Sequence, residues 1–191
     1  MTRDDISKYL IHWTKGDSYE EAFEILRSIV FEMRIIGSGK YIKGSYYCVC
    51  FTEAPVEKFH QVIGKYKPFG IRVSKKWLYG QGGRPVIYQS DKEYSFLSKE
   101  IEWRHVRYEP NNDPPIDFSW EREWRIQTEQ LSLPPGEVVI ILPGVAWASR
   151  LEEDHFQREH SRIYMDSIVY GEWYADRPLD PLHYAYNIIE I

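Results

Sequence analysis

The hydrophobic positions fall in short blocks whose period switches between about 2 and about 3.6 residues, the mark of strands interleaved with helices. Tyr9-Leu10-Ile11-His12-Trp13-Thr14 reads as a short apolar strand carrying one histidine, and Lys15-Gly16-Asp17 as the turn that ends it. Ser18-Tyr19-Glu20-Glu21 has the form of a capping box and predicts a helix. Phe23, Leu26, Ile29 or Val30, and Met33 recur at helical spacing toward a core, while Glu20, Glu24 and Arg27 face water. Gly37-Ser38-Gly39 ends the helix, and Arg34 to Gly44, rich in glycine and lysine, reads as a flexible connection. Tyr46 to Thr52 is almost continuously apolar, as a central strand covered on both faces should be, and Pro55 stops it.

A short helix over 56–64 and a strand over Phe69–Val73 are predicted next. Gly80-Gln81-Gly82-Gly83 matches neither a Walker loop nor a dinucleotide fingerprint and reads as a tight turn into the strand Val86–Tyr88. Asp91-Lys92-Glu93 starts a helix presenting Tyr94, Leu97 and Ile101; Trp103 to Tyr108 is a strand; residues 110–115 form a rigid polar surface loop. Trp120 to Ile126 and Val138 to Leu142 are strands, residues 145–160 are helical through Trp147, Leu151 and Phe156, and Ile163–Tyr170 and His183–Ile191 are the last strands. The sum is a single α+β domain over residues 1–191, with about three helices and strands dominating.

Chemistry concentrates in Trp120-Glu121-Arg122-Glu123-Trp124-Arg125-Ile126. If extended throughout, it puts Trp120, Arg122, Trp124 and Ile126 on one face and Glu121, Glu123 and Arg125 on the other. Two carboxylates on one strand face repel each other unless something uses them. The plainer alternative is a solvated edge strand on which Arg125 offsets both glutamates.

Composition narrows the partners. With 191 residues and 43% hydrophobic content the chain can build a substantial core, and its 7 Trp and 15 Tyr supply stacking surfaces as well as sheet packing. A net charge of -5 argues against a general polyanion-coating protein, although Arg84, Arg104, Arg107, Arg122 and Arg125 leave room for a local basic path to a nucleic acid. The charged start MTRDDISKYL is unlike a signal peptide and no apolar run suits a membrane span, so a soluble, cytoplasmic protein with no membrane partner is expected. Cys48 and Cys50 are spaced for neither a zinc knuckle nor a redox pair and read as reduced strand residues. His155 and His160, five apart, share no helix face, so no metal site is expected.

The order His12-x-Thr14, then a strand ending in Phe51-Thr52, then Glu121-x-Glu123, resembles the ADP-ribosyltransferase fold, in which a split β-sheet grips NAD. More closely, Cys50-Phe51-Thr52-Glu53-Ala54-Pro55, Gly70-Ile71-Arg72-Val73, Gly83-Arg84-Pro85-Val86-Ile87-Tyr88 and Trp120 to Arg125 are similar to the AbiGi-type abortive phage resistance family, over roughly residues 10–145. Members of that family are described as antitoxins; the motif order also suggests kinship with DarT-like ADP-ribosyltransferases. The resemblance implies NAD as substrate, Glu123 beneath the ribose as the oxocarbenium-stabilising carboxylate, and Glu121 orienting or deprotonating an acceptor. It further implies His12 on the adenosine ribose, Thr14 at the nicotinamide end, Thr52 supporting Glu123, and Tyr88 or Tyr47 stacked on nicotinamide.

Two departures bear on the subclass: His12 stands where the arginine-modifying relatives carry Arg, and no pair of stacking tyrosines at the diphtheria-like spacing is evident. The function implied is an NAD-dependent ADP-ribosyltransferase-like effector of a phage-defence or toxin-antitoxin system, transferring to a nucleic acid or protein. The alternative is a non-catalytic antitoxin or interaction module of the same fold that binds a partner toxin or nucleotide. A carboxylate-pair glycosidase is disfavoured, because same-face strand neighbours about 7 Å apart point the same way and cannot flank a scissile bond.

Overall fold

The computed structural model describes residues 7–53, 66–171 and 177–189. Among the described residues three helices and a large mixed sheet make an α+β architecture. The seven-stranded sheet is built from β1 (Tyr9–Trp13), β3 (Cys48–Thr52), β4 (Gly70–Ser74), β5 (Arg84–Pro85), β8 (Glu123–Gln127), β10 (Val138–Leu142) and β11 (Ala185–Ile188). Their spatial order is β11-β10-β4-β1-β3-β8-β5, and only the β10–β11 pair is parallel. Two small ribbons flank it: β2 (Arg34–Ile36) with β9 (Gln130–Ser132), and β6 (Ile87–Gln89) with β7 (His105–Arg107).

Strand alternation decides which side chains reach which layer. On one face Leu10, Val49, Phe51, Ile71, Val73, Ile126 and Ile140 join Phe23 and Leu26 of helix α1 (Tyr19–Glu32), Leu78 of helix α2 (Lys75–Gly80) and Leu151 of helix α3 (Val145–Tyr170) in the main core. Several of these side chains are wholly buried, each contributing roughly 1.5–3 kcal/mol of transfer free energy. The opposite face carries Ile11, Trp13 and Ile141, which pack with Tyr66, and Cys48 and Cys50, which pack with Ile42 and Trp103.

Helix α1 starts as its sequence says. Ser18 Oγ accepts from the Glu21 amide at 3.1 Å, but Glu21 Oε2 accepts from the Asp17 amide at 2.8 Å rather than from Ser18 itself. The helix ends at Met33, which turns left-handed (φ 54°) and is exposed, so it is a cap rather than the core residue its spacing suggested. The segment after Met33 is not a loose connection, because Arg34–Ile36 pairs with Gln130–Ser132. Helix α2, unexpected from the pattern, is nucleated by Ser74, whose Oγ accepts from the Trp77 amide at 3.1 Å. Only a 3-10 turn forms at Glu93–Phe96, where a helix was predicted. Ile163–Tyr170 is the last part of α3, not a strand. The predicted helix over 56–64 lies outside the described residues. Among the described residues no helix is long and apolar enough to cross a membrane.

Candidate functional site

The three segments singled out in the sequence become neighbours. β1, β3 and β8 lie side by side, with Ile11 opposite Thr52 and Thr52 opposite Glu123. Residues separated by about forty and seventy positions in sequence are thus brought to one end of the central strands.

Trp120 to Ile126 is not extended throughout. Ser119–Glu121 is a 3-10 turn, Arg122 turns left-handed (φ 44°), and the strand begins only at Glu123. The face assignment therefore holds for Glu123 and Arg125 against Trp124 and Ile126, and fails for Glu121, which is delivered by the turn. Two carboxylates that would have stood on one strand face are separated by a backbone reversal. Glu121 is buried and accepts the Tyr66 hydroxyl on Oε2 at 3.1 Å; burial, then the Glu121 charge, push the Tyr66 phenol upward. The Glu121 carbonyl receives the Glu53 amide at 3.3 Å, fastening the turn to the end of β3.

Glu123 holds Arg125 in a two-point pair, Nε to Oε1 at 2.7 Å and a terminal nitrogen to Oε2 at 3.3 Å. The remaining terminal nitrogen of Arg125 donates to the carbonyls of Trp103 and His105 at 3.0 and 2.8 Å, so one buried guanidinium ties β8 to the segment crossing over it. Burial opposes that charge, but the Glu123 carboxylate outweighs it and Arg125 is held above its usual range. Tyr88 stands beside the pair: its hydroxyl oxygen accepts from the Glu123 amide at 3.0 Å, and burial pushes its pKa up to about 12. Thr52 is buried directly opposite Glu123.

His12 and Thr14 lie elsewhere. By alternation His12 shares the helix-covered face with Leu10 and meets Phe51 edge-on at 5.8 Å, whereas Ile11, Thr52 and Glu123 share the other face. Its Nδ1–H donates to the Cys50 carbonyl at 2.8 Å, which fixes the tautomer and stitches β1 to β3. Burial holds the imidazole below its usual range, against that hydrogen bond. Thr14 is buried, its amide and hydroxyl both donating to the Phe69 carbonyl at 2.9 and 3.1 Å. Tyr47 is exposed at the far end of β3, its carbonyl accepting from Thr128. Five positions of strand, about 16 Å, separate it from Thr52.

The structure adds groups to which the sequence assigned no role. Glu53, buried at the end of β3, bridges Lys75 Nζ at 2.6 Å and Trp124 Nε1 at 3.1 Å. A carboxylate between a strand end and Pro55 was its only signal. Tyr66 had none, since it falls between the helix predicted over 56–64 and the strand beginning at Phe69. Glu102 gathers the Tyr46 and Tyr94 hydroxyls and Lys99 at 2.9, 3.2 and 3.1 Å, packing the segment around residue 102 against the loop before β3. Burial raises both thiols, Cys48 up to about 11 and Cys50 further, which suits inert strand residues.

A cleft of about 480 Å³ opens at the end of α1, between Met33, Arg34, Trp77, Gln81, Leu133 and Pro134, and shares no residue with the Glu123 group. No cluster of three metal-ligating side chains occurs among the described residues. Compared with family models, with curated proteins and with solved structures, the chain finds no match.

Proposed function

We propose that this protein is an ADP-ribosyltransferase-like effector that takes NAD at the Glu123 end of β1, β3 and β8 and uses Glu123 to cleave the nicotinamide–ribose bond. The observation that supports the reading is the pairing of β3 with β8, which sets Thr52 directly opposite Glu123 although some seventy residues separate them in sequence. Cleavage breaks the C–N bond with the electron pair leaving on nicotinamide, and the oxocarbenium-like ribose is stabilised by the carboxylate beneath it. Arg125 orients that carboxylate and leaves each oxygen a further lone pair for the ribose hydroxyl. An acceptor hydroxyl or amine, or water, then bonds to the ribose carbon and gives up its proton, with Glu121 the nearby base. Thr52 and Tyr88 share the Glu123 end and would line the ribose and nicotinamide; His12, on the other face, acts here by holding β1 to β3. The acceptor is a nucleic acid or a protein, and the setting is phage defence or a toxin-antitoxin pair.

The test is nicotinamide release from NAD by wild type and Glu123→Gln, with and without DNA, RNA and cell lysate. Wild type releases nicotinamide, and the variant falls by about 10²–10³, as removal of one electrostatic group at a reacting centre does. Absence of release together with absence of a thermal shift on adding NAD refutes the proposal.

One observation favours a second reading, a non-catalytic antitoxin or interaction module of the same fold. Both Glu123 oxygens are already engaged by Arg125, the arrangement of a structural pair. On that reading wild type and Glu123→Gln are equally well tolerated on expression, and a partner toxin or nucleotide binds without turnover.

A further inference from the structure

Most arginines with a contact in this fold meet a carboxylate: Arg27 with Asp154, Arg34 with Glu32, Arg107 with Glu109, Arg125 with Glu123, Arg150 with Glu20 and Arg162 with Glu159. Acidic residues outnumber basic ones, 29 to 24, so carboxylates are in ready supply. Among the described residues Arg72 and Arg158 rest singly on the rings of Tyr9 and Phe31 without an ion pair, whereas Arg84 and Arg104 lack one side by side.

Arg84 lies on edge strand β5, opposite Arg125 of β8. One terminal nitrogen donates to the carbonyls of Tyr79 and Gly83 at 2.9 and 2.7 Å, and the guanidinium lies over the exposed Tyr79 ring, 3.8 Å from its centroid. Arg104 donates from Nε to the carbonyl of Pro85, the residue after Arg84, at 2.9 Å. Both guanidiniums are thus aimed by main-chain carbonyls and an aromatic plane, which fix orientation without cancelling charge. Among the described residues neither makes an ion pair, and the other terminal nitrogen of Arg84 and both terminal nitrogens of Arg104 make no hydrogen bond to protein. Burial and the charge of Arg84 both pull Arg104 below its usual range, as expected of like charges held close. The pair adjoins the Glu123 group, because the Val86 amide donates to the Glu123 carbonyl at 3.0 Å and Pro85 is paired with Trp124.

We infer that Arg84 and Arg104 form a receptor for phosphate oxygens at the rim of the Glu123 site, with Tyr79 setting the plane of the first guanidinium. Two forks with open edges and a neutral support match the oxygens of a phosphate ester better than a point charge does. The phosphate comes from a dinucleotide pyrophosphate or from a nucleic-acid backbone, and the receptor serves a transferase and a binding module alike. It therefore stands or falls apart from the chemistry proposed for Glu123.

The test measures binding of inorganic pyrophosphate, of NAD and of a short fluorescein-labelled DNA strand to the full chain at low and moderate salt. Wild type is set beside Arg84→Gln, Arg104→Gln and Arg162→Gln, with thermal melting as the folding control. At least one probe binds wild type, and it weakens about tenfold or more in each of the first two variants, the loss expected for a charge-assisted hydrogen bond. Arg162→Gln, whose guanidinium already rests on Glu159 and Asp180 of another part of the fold, leaves binding unchanged. NAD affected without DNA assigns the receptor to the dinucleotide; DNA affected, with a shallower salt dependence in the variants, assigns it to the strand. If a Gln variant does not fold, Arg84→Lys and Arg104→Lys replace it, keeping charge but losing the fork, and bind more weakly than wild type. Failure of all three probes to bind wild type, or equal binding by wild type and the Arg84 and Arg104 variants, or an equal loss in Arg162→Gln, overturns the assignment.

Discussion

Replacing Arg125 by Met tests whether β8 is pinned as the geometry indicates. The guanidinium makes four hydrogen bonds, two to Glu123 and one each to the carbonyls of Trp103 and His105, and the paired side chains are only 6% and 13% exposed. Removing one partner of a buried pair strands the other charge at a cost of about 3–5 kcal/mol. Two carbonyls losing their donor add about 1–3 kcal/mol each if water stays out. Partial hydration of the opened site makes these terms overlap, so about 4–6 kcal/mol is the expected total, a large part of the roughly 5–15 kcal/mol that holds a domain together. For a chain of this length that lowers Tm by roughly 10–20 °C. The assay is urea unfolding monitored by tryptophan fluorescence, run as a cycle with Glu123→Leu and the double variant. Losing both charges together should restore much of the loss, because no unpaired ion remains. Glu123→Gln keeps one acceptor but strands the Arg125 charge, so it should cost much of the same roughly 3–5 kcal/mol, and its activity is to be compared with wild type at a temperature where melting shows both folded. A loss below about 1 kcal/mol for Arg125→Met would show an ordinary solvated pair and refute the reasoning.

The buried thiols and the histidine give two further tests. In the folded protein Cys48 and Cys50 should react with dithionitrobenzoate only as fast as the chain opens, because burial disfavours the thiolate at about pH 8, and both should react promptly in urea; prompt reaction of the native protein would contradict the packing around Trp103. His12 is held below its ordinary value of 6.5, so the unfolded chain binds the proton more readily; the stability owed to neutral His12 is present above pH 6.5 and lost as pH falls through the folded value. Urea midpoints measured between pH 7.5 and 5.5, above the 4.5 of an ordinary glutamate, should decline for wild type as pH falls and flatten for His12→Gln; equal slopes would sink the assignment.

Local chemistry made much of the fold legible. β1, β4 and β10 appear where short apolar runs meet turn residues, and Ser18 with Glu21 marks the start of α1. The misses share a cause: the deciding partner was distant or the pattern ambiguous. Ile163 to Tyr170 is rich in β-branched and aromatic residues, yet it continues a helix begun at Val145, and Tyr164, Ile168 and Val169 are exposed. Arg34–Ile36 is a strand only because Gln130–Ser132 lies beside it. At the site, the alternation from Glu123 onward was readable, but the left-handed Arg122 was not, since arginine carries no signal for that conformation. The adjacency of β1, β3 and β8 was likewise invisible in any local window, and the motif order, which grouped His12 and Thr14 with Thr52 and Glu123, missed that the first two point away from the others.

The strand order also dictates how the sheet can assemble during synthesis. β1, the first strand made, occupies the middle; β3 and β4 join its two sides, β8 and β10 extend them, and β11 closes one margin last. Growth from the centre outward nevertheless leaves edges waiting for distant partners: the β4 side stays open until residues 138–142 emerge, β5 until β8 is made, and the β3 side until residues 123–127 emerge. That interval, some seventy residues long, is when a nascent chain presents Cys48–Thr52 as a bare apolar edge and is most exposed to pairing with a neighbour.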